Sequence, residues 1–327
     1  MSMIVLTAGL LDSFQDRGRT GWRHWGINPG GAMDWQAMQQ ANIVLNNKPH
    51  EAVLELHFPA STFLMEKNLL LALAGADFGA ELDGEPVALY KPFWAMTGSV
   101  LKFTHRHRGQ RAYLAVKKGW KLNSWLNSCS THLQLQTGGF HGRALQKTDR
   151  IGCSHEASDL LKSRTQFGWG IAERRPDIDS TVLRVVTAKD WPELSYKSRQ
   201  FFAEGRFEIS KHANRMGYQL NGPVLKRDKE QELFSFGVNS GAIQLLPNGQ
   251  LIILMADHQV TGGYPVIGYV ISVDLPRLAQ WGAGKKFTFS LSSLSAAEQA
   301  EEAQRRDRRL EQFYCSEKWK QIADHRE

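Results

Sequence analysis

Apolar residues along this chain come in short runs, at 52–58, 69–74, 112–116, 181–187, 251–255 and 269–273, each bounded by Gly, Pro or Asn. Runs of this length between turn formers read as β-strands. The regular strand and helix alternation of a parallel sheet is missing, so the pattern predicts a mainly β protein, barrels or sandwiches with a few inserted helices. One helix is predicted from Asp34, where Ala37, Met38, Ala41, Val44 and Leu45 recur at helical spacing. Asp34 stands at its N-cap, and Asn46, Asn47 and Pro49 supply the stop. A second helix closes the chain: Ser295 and Glu298 make a capping-box pattern before a Glu- and Arg-rich stretch reaching at least Leu310. Its charges predict a solvated outer face.

At 327 residues and 42% hydrophobic the chain is long enough for two cores. The polar stretch 154–179 precedes a fresh strand signal, which predicts lobes over 1–178 and 179–294 and a charged C-terminal helix over 295–327. The longest apolar run, 69–74, is far short of the roughly 20 residues that span a bilayer. The N-terminus has no basic region and reaches Asp12 before an apolar segment forms, so no secretory signal is read and a cytoplasmic location is expected. Cys129, Cys153 and Cys315 are odd in number and widely spaced, against disulfides and cysteine-bound zinc. The net charge of +7 is local, because no carboxylate occurs between Glu85 and Asp149. That segment, with Lys102, Arg106, Arg111, Lys117 and Lys118, reads as a solvated basic face, a docking surface for an acidic protein or an attractor of anionic substrate. No nucleic-acid recognition motif accompanies it.

Two Gly-rich polar clusters carry the candidate chemistry. The first, QDRGRTGWRHWG at 15–26, runs through Gly30 and Gly31 to Asp34; its glycines permit close backbone approach, and Asp16, Arg17 and Arg19 supply charge. Asp16 and Arg19 either pair with each other to hold this loop or contact a ligand. The second, ADHQVTGGYP at 256–265, follows an apolar strand and presents Asp257, His258, Thr261, Gly262, Gly263 and Tyr264. It reads either as a substrate loop or as a tight hairpin in which Asp257 caps the turn. His258 is the most plausible functional histidine, whereas His57 shares a strand face with Glu55 and reads as structural. Cofactor motifs are absent. GAGKKF at 282–287 has Ala279 and Lys286 where a phosphate-binding loop needs Gly and Ser or Thr.

Taken together, QDRGRTGWRHWG, GGAMD, Ala41-Asn42, Glu55 and AGADF at 74–78, then NRMGYQLNGP at 214–223, 240–265 and VISVDLPRLAQW at 270–281, resemble one family over most of the chain. That family, often called allophanate hydrolase subunit 2, includes the third subunit of bacterial 5-oxoprolinase and the carboxyltransferase domain of urea carboxylase. The resemblance implies two cyclophilin-like β-barrel lobes and an ATP-dependent complex that opens 5-oxoproline (pyroglutamate) to glutamate. It implies a small B-like and a lactam-utilisation A-like subunit as partners, with ATP held by this chain or by the complex. Biotin enters only under the alternative of carboxyl transfer to urea or another amide; a further alternative is a regulatory antagonist of a kinase inhibitor. For the anionic transition state of such a reaction, the charged and hydroxyl groups of the two clusters, Asp16, Arg19, Asp257, His258 and Thr261, are the candidate catalytic residues. Gln15, Gly30, Gly31, Arg215, Gly262, Gly263 and Tyr264 are the candidate substrate contacts, with both clusters expected on one cleft. The chain departs from the family pattern at Ala60, at Lys117 and Lys118, at His132, at Thr148 and at Val260.

Overall fold

The computed structural model describes residues 2–154, 167–172, 180–228 and 233–324. The chain divides into two compact units interleaved along the sequence: Met1–Arg19, Gly30–Arg174 and Arg306–Glu327 form the first, Thr20–Pro29 and Arg175–Arg305 the second. The first Gly-rich cluster is thereby shared between them. The expected boundary near 178 lies outside the described residues.

The first unit holds β1 (Met3–Thr7), β2 (Ser13–Gln15), β3 (Val53–His57), β4 (Thr62–Met65), β5 (Leu69–Asp77) and β6 (Ala80–Leu82). It continues with β7 (Glu85–Pro86), β8 (Pro92–Ala95), β9 (Val100–Phe103), β10 (Arg108–Val116) and β11 (Arg150–Ile151). Among the described residues they form two sheets, ordered β11-β1-β4-β9-β6-β7 and β2-β3-β10-β5-β8. The unbroken apolar run in β5 is explained by burial on both faces. Leu69, Leu71 and Leu73 enter the core between the sheets with Phe63 and Leu101. Leu70, Ala72 and Ala74 enter a second core, with Met38 and Val44 of α1 (Trp35–Val44). Strand alternation divides one sequence run between two cores. Helix α1 follows its expected signals: Asp34 accepts from the Ala37 amide at 2.9 Å, and Asn46 beyond its end adopts φ 52°.

The second unit holds β12 (Val182–Thr187), α2 (Tyr196–Glu204), β13 (Phe207–Ile209), β14 (Gly217–Asn221), β15 (Phe236–Gly237) and β16 (Ala242–Leu245). After these come β17 (Leu251–Leu254), β18 (Thr261–Gly262), β19 (Val266–Val270), α3 (Leu275–Ala279) and β20 (Lys286–Leu291). Seven of its strands close a barrel in the order β12-β19-β16-β17-β14-β13-β20, and β15 pairs with β18. Phe202 of α2 stacks on Phe289 at 4.4 Å between centroids, beside Phe207 and Phe287. The strand expected over 269–273 ends at Val270: Asp274, fully buried, binds Arg184 of β12 at 2.6 Å and Arg277 at 2.9 Å, and this ion cluster holds a 3-10 turn over Ser272–Asp274.

Helix α4 (Leu294–Asp324) begins earlier than its capping-box pattern suggests, because the Ser293 hydroxyl takes the cap, accepting from the Ala296 amide at 3.1 Å. Its far half is not wholly solvated. Cys315 is fully buried, and Trp319 packs on Phe167 and Trp169 while donating to the Val44 carbonyl at 3.0 Å. Among the described residues no helix is long and apolar enough to cross a membrane. Part of the basic segment is offset by carboxylates from elsewhere, with Lys102 on Glu81 at 3.0 Å and Arg143 on Asp149 at 2.7 Å.

Candidate functional site

In the first unit β2 delivers Gln15, fully buried, to the start of the first cluster, where its amide nitrogen donates to the Ser13 hydroxyl at 3.1 Å. The Asp16 carboxylate next to it is an anchor. Oδ1 accepts from the Gly18 amide at 2.7 Å and from the hydroxyls of Ser128 and Ser130 at 2.7 and 2.6 Å; Oδ2 accepts from the Cys129 amide at 2.6 Å. Four donors leave little lone-pair density for moving a proton. Arg19 donates to the Ser130 carbonyl and lies 4.8 Å over the Trp125 ring. Asp16 and Arg19 thus both grip the segment around Ser130.

Gly31 is required by space as well as conformation. Its φ is +98°, and a β-carbon there would lie 2.9 Å from the Gly18 nitrogen. Gly30 and Gly31 therefore fold back on 16–18, and the Ala32 amide donates to the Asp16 carbonyl at 2.9 Å. Beneath them, fully buried Glu55 accepts from the Met33 amide and the Tyr113 hydroxyl, each at 2.9 Å, and Tyr113 in turn accepts from the Asp34 amide at 2.8 Å. Burial and the facing Glu55 charge raise the Tyr113 phenol well above its usual range. His57 lies 3.9 Å from Glu55, on the shared face expected of it. Asp12, behind this network, is pushed up to about 6 by burial, although the amides of His57 and Ser61 donate to it.

In the second unit the second cluster is not a tight hairpin. Strands β17 and β19 both pair with β16, so 255–265 is a crossover over that strand, and β18 within it pairs with β15. Arg215 and Asp257 are brought together in an ion pair at 2.7 Å. Asn28, from the first cluster, donates to the Asp257 carbonyl at 3.0 Å, so the two clusters touch inside this unit. Arg23 donates to the Asn239 side chain and the Val238 carbonyl.

His258 is buried, and its Nδ1 lies 2.6 Å from the Gln259 carbonyl. That contact requires the proton on Nδ1, leaving Nε2 as an acceptor. Desolvation is the chief cause that lowers the His258 pKa, and the Arg23 charge adds to it. The result is a neutral imidazole with a basic edge, suited to taking a proton. Thr261 and Tyr264 are exposed, at the outer side of the same crossover, with Gly262 and Gly263 between them. Gln244, Arg23, Asn28, Ser128 and Ser130 are not singled out by the sequence; Gln244 alone carries a signal there, a lone amide inside the buried run of β16.

The geometry offers no phosphate cradle at 282–287: strand β20 begins at Lys286, where such a loop needs a helix N-terminus.

Residues 25–291 match the family described as carboxyltransferase domain, subdomain A and B. The chain belongs to this family. It is 34% identical to the C subunit of 5-oxoprolinase from Haemophilus influenzae, covering 87% of this chain and 89% of that protein. Among solved structures, TTHA0988 superposes with a TM-score of 0.76 at 27% identity over 88% of this chain, which spans only 55% of that one. The K. lactis urea amidolyase superposes at 0.84 over 94% of this chain and 20% of its own; at 22% identity this likeness is one of fold. The family assignment thus rests on chain-long similarity, and the mainly β architecture agrees with it.

Proposed function

We propose that this chain is the C subunit of a cytoplasmic, ATP-dependent 5-oxoprolinase that opens 5-oxoproline to glutamate together with a small B-type and a lactam-using A-type subunit. The observation that supports this reading most is the near end-to-end match to a relative bearing that name. A lactam is a resonance-stabilised amide, so its opening is eased by activating the carbonyl oxygen, here at the expense of ATP bound by the complex. The γ-phosphoryl group passes to the lactam oxygen and ADP leaves; water then adds to the carbonyl carbon, the C–N bond breaks with the ring nitrogen taking up a proton, and phosphate departs to leave the carboxylate of glutamate.

In this reading the crossover of the second unit is the working element. His258 receives a proton at Nε2, Thr261 and the Gly262–Gly263 backbone face the developing negative charge, and the Arg215–Asp257 pair holds the loop in place. Asp16 and Arg19 keep the first cluster in shape. The test is ATP-dependent glutamate formation from 5-oxoproline by the purified assembly of all three proteins, with each omitted in turn. Activity that disappears without this chain is expected; a complete assembly that makes no glutamate moves the assignment to carboxyl transfer or regulation.

A further inference from the structure

Gln244 is 1% exposed, and among the described residues neither its side-chain oxygen nor its nitrogen has a hydrogen-bond partner. Buried amides are almost always satisfied, so a fully orphaned one asks for an explanation. Alternation along β16 puts Gln244 on the face of Ala242, which packs with Val238, Leu254 and Val266. Above it lies β18. A β-carbon built on Gly262 would sit 2.6 Å from the Gln244 nitrogen, and the φ of Gly262 is not in the left-handed region. Glycine is needed there for the room it leaves over the carboxamide.

We propose that Gln244 is the specificity contact for the substrate amide, an inference that rests on the lactam-opening reading above. A primary carboxamide carries a donor and an acceptor side by side. A five-membered lactam is locked cis and shows its N–H and C=O along one edge. The two edges pair through antiparallel hydrogen bonds: Nε2–H to the lactam oxygen, and the lactam N–H to Oε1. A trans peptide does not present that edge, and an N-alkylated lactam lacks its donor. Urea presents the same edge, so the pairing selects the cis-amide edge and leaves the ring to other contacts. Entry requires the β15–β18 ribbon to move; two residue pairs, Phe236 with Gly262 and Gly237 with Thr261, join it, and the Val238 amide adds a bond to the Val260 carbonyl at 3.0 Å.

The test uses the assembled complex and the Gln244→Leu variant. Leucine fills similar volume without an orphaned amide, so the melting temperature should hold or rise, and a marked fall assigns Gln244 a structural role and overturns the proposal. The KM for 5-oxoproline should rise by ~10–100-fold, the size of two lost hydrogen bonds, with the KM for ATP unchanged. In parallel, the Gln244 side-chain NMR signal, assigned by its loss in the variant, is followed in the full chain and in the complex during titration with 2-pyrrolidone, N-methyl-2-pyrrolidone and urea. Shifts with the first and third and none with the second are expected. A wild-type complex without 5-oxoproline turnover would sink the functional reading, and the titration would then decide the Gln244 contact by itself. A wild-type KM in the variant together with a signal that no cis-amide moves overturns the contact.

Discussion

Arg215 and Asp257 are joined at two points, Nε to Oδ2 at 2.7 Å and Nη2 to Oδ1 at 3.0 Å, and the Asp257 amide also donates to the Arg215 carbonyl at 2.8 Å. The fork fixes the position of the peptide leading into His258. Since both side chains are largely buried, removing one strands the other. Arg215→Ala should cost about 3 kcal/mol in urea denaturation, and Arg215→Lys less, because it keeps the charge and loses the fork. Combined with Asp257→Ala, the losses should fall well short of additive; additive losses would mean that the pair does not act as a unit.

Asp12 gives the fold a pH dependence of unusual sign. Its carboxyl, held near 6 against 3.8 unperturbed, binds a proton more tightly in the folded chain than in the unfolded one. Stability from this group is therefore full below pH ~4 and declines as pH rises to ~6, by on the order of 3 kcal/mol. Urea midpoints across that window should show the decline in the parent. In Asp12→Asn, less stable overall because one amide loses its acceptor, the decline should be absent.

Asp16 carries four donors, three of them from residues 128–130. Asp16→Ala should destabilise the first unit by about 3 kcal/mol and Ser130→Ala by about 1 kcal/mol. Amide exchange should accelerate first around Ser128 and Ser130. Unchanged exchange there would remove Asp16 from its anchoring role.

The lowered pKa of His258 keeps it neutral further into acid than an ordinary imidazole. As the base of the complex, it should place the acid limb of kcat/KM below pH ~6.5. His258→Gln should lower kcat by about 100-fold or more while assembly is kept. Because the folded state disfavours the charged ring, His258 also withdraws stability as pH drops through and below ~6.5, a loss absent from the variant.

Local signals carry much of the architecture. Helix α1 is legible because its cap, its apolar stripe and its Asn-rich stop lie within one short segment, from Asp34 to Asn47. Both clusters are visible because glycines and charges interrupt apolar runs. What stays hidden depends on distant partners. Asp16 meets Ser130 from 114 positions away, and β12 closes the barrel against β20 across about a hundred residues. Ser293 outcompetes Ser295 for the α4 cap, a difference of one turn start that propensity does not resolve. Gln244 is one letter of an apolar strand, and nothing local says that its amide goes unsatisfied.

The crossover between β17 and β19 also has a mechanical side. The two strands flank β16, so their connection must bridge two strand spacings, about 9–10 Å, and a two-residue turn cannot do so. The peptide that bears Asp257, His258 and Thr261 is also the strap that lets the barrel keep its strand order. Bridging that gap takes roughly three or four extended residues, so the stretch tolerates shortening only down to that floor, below which a cut would disturb the strand order.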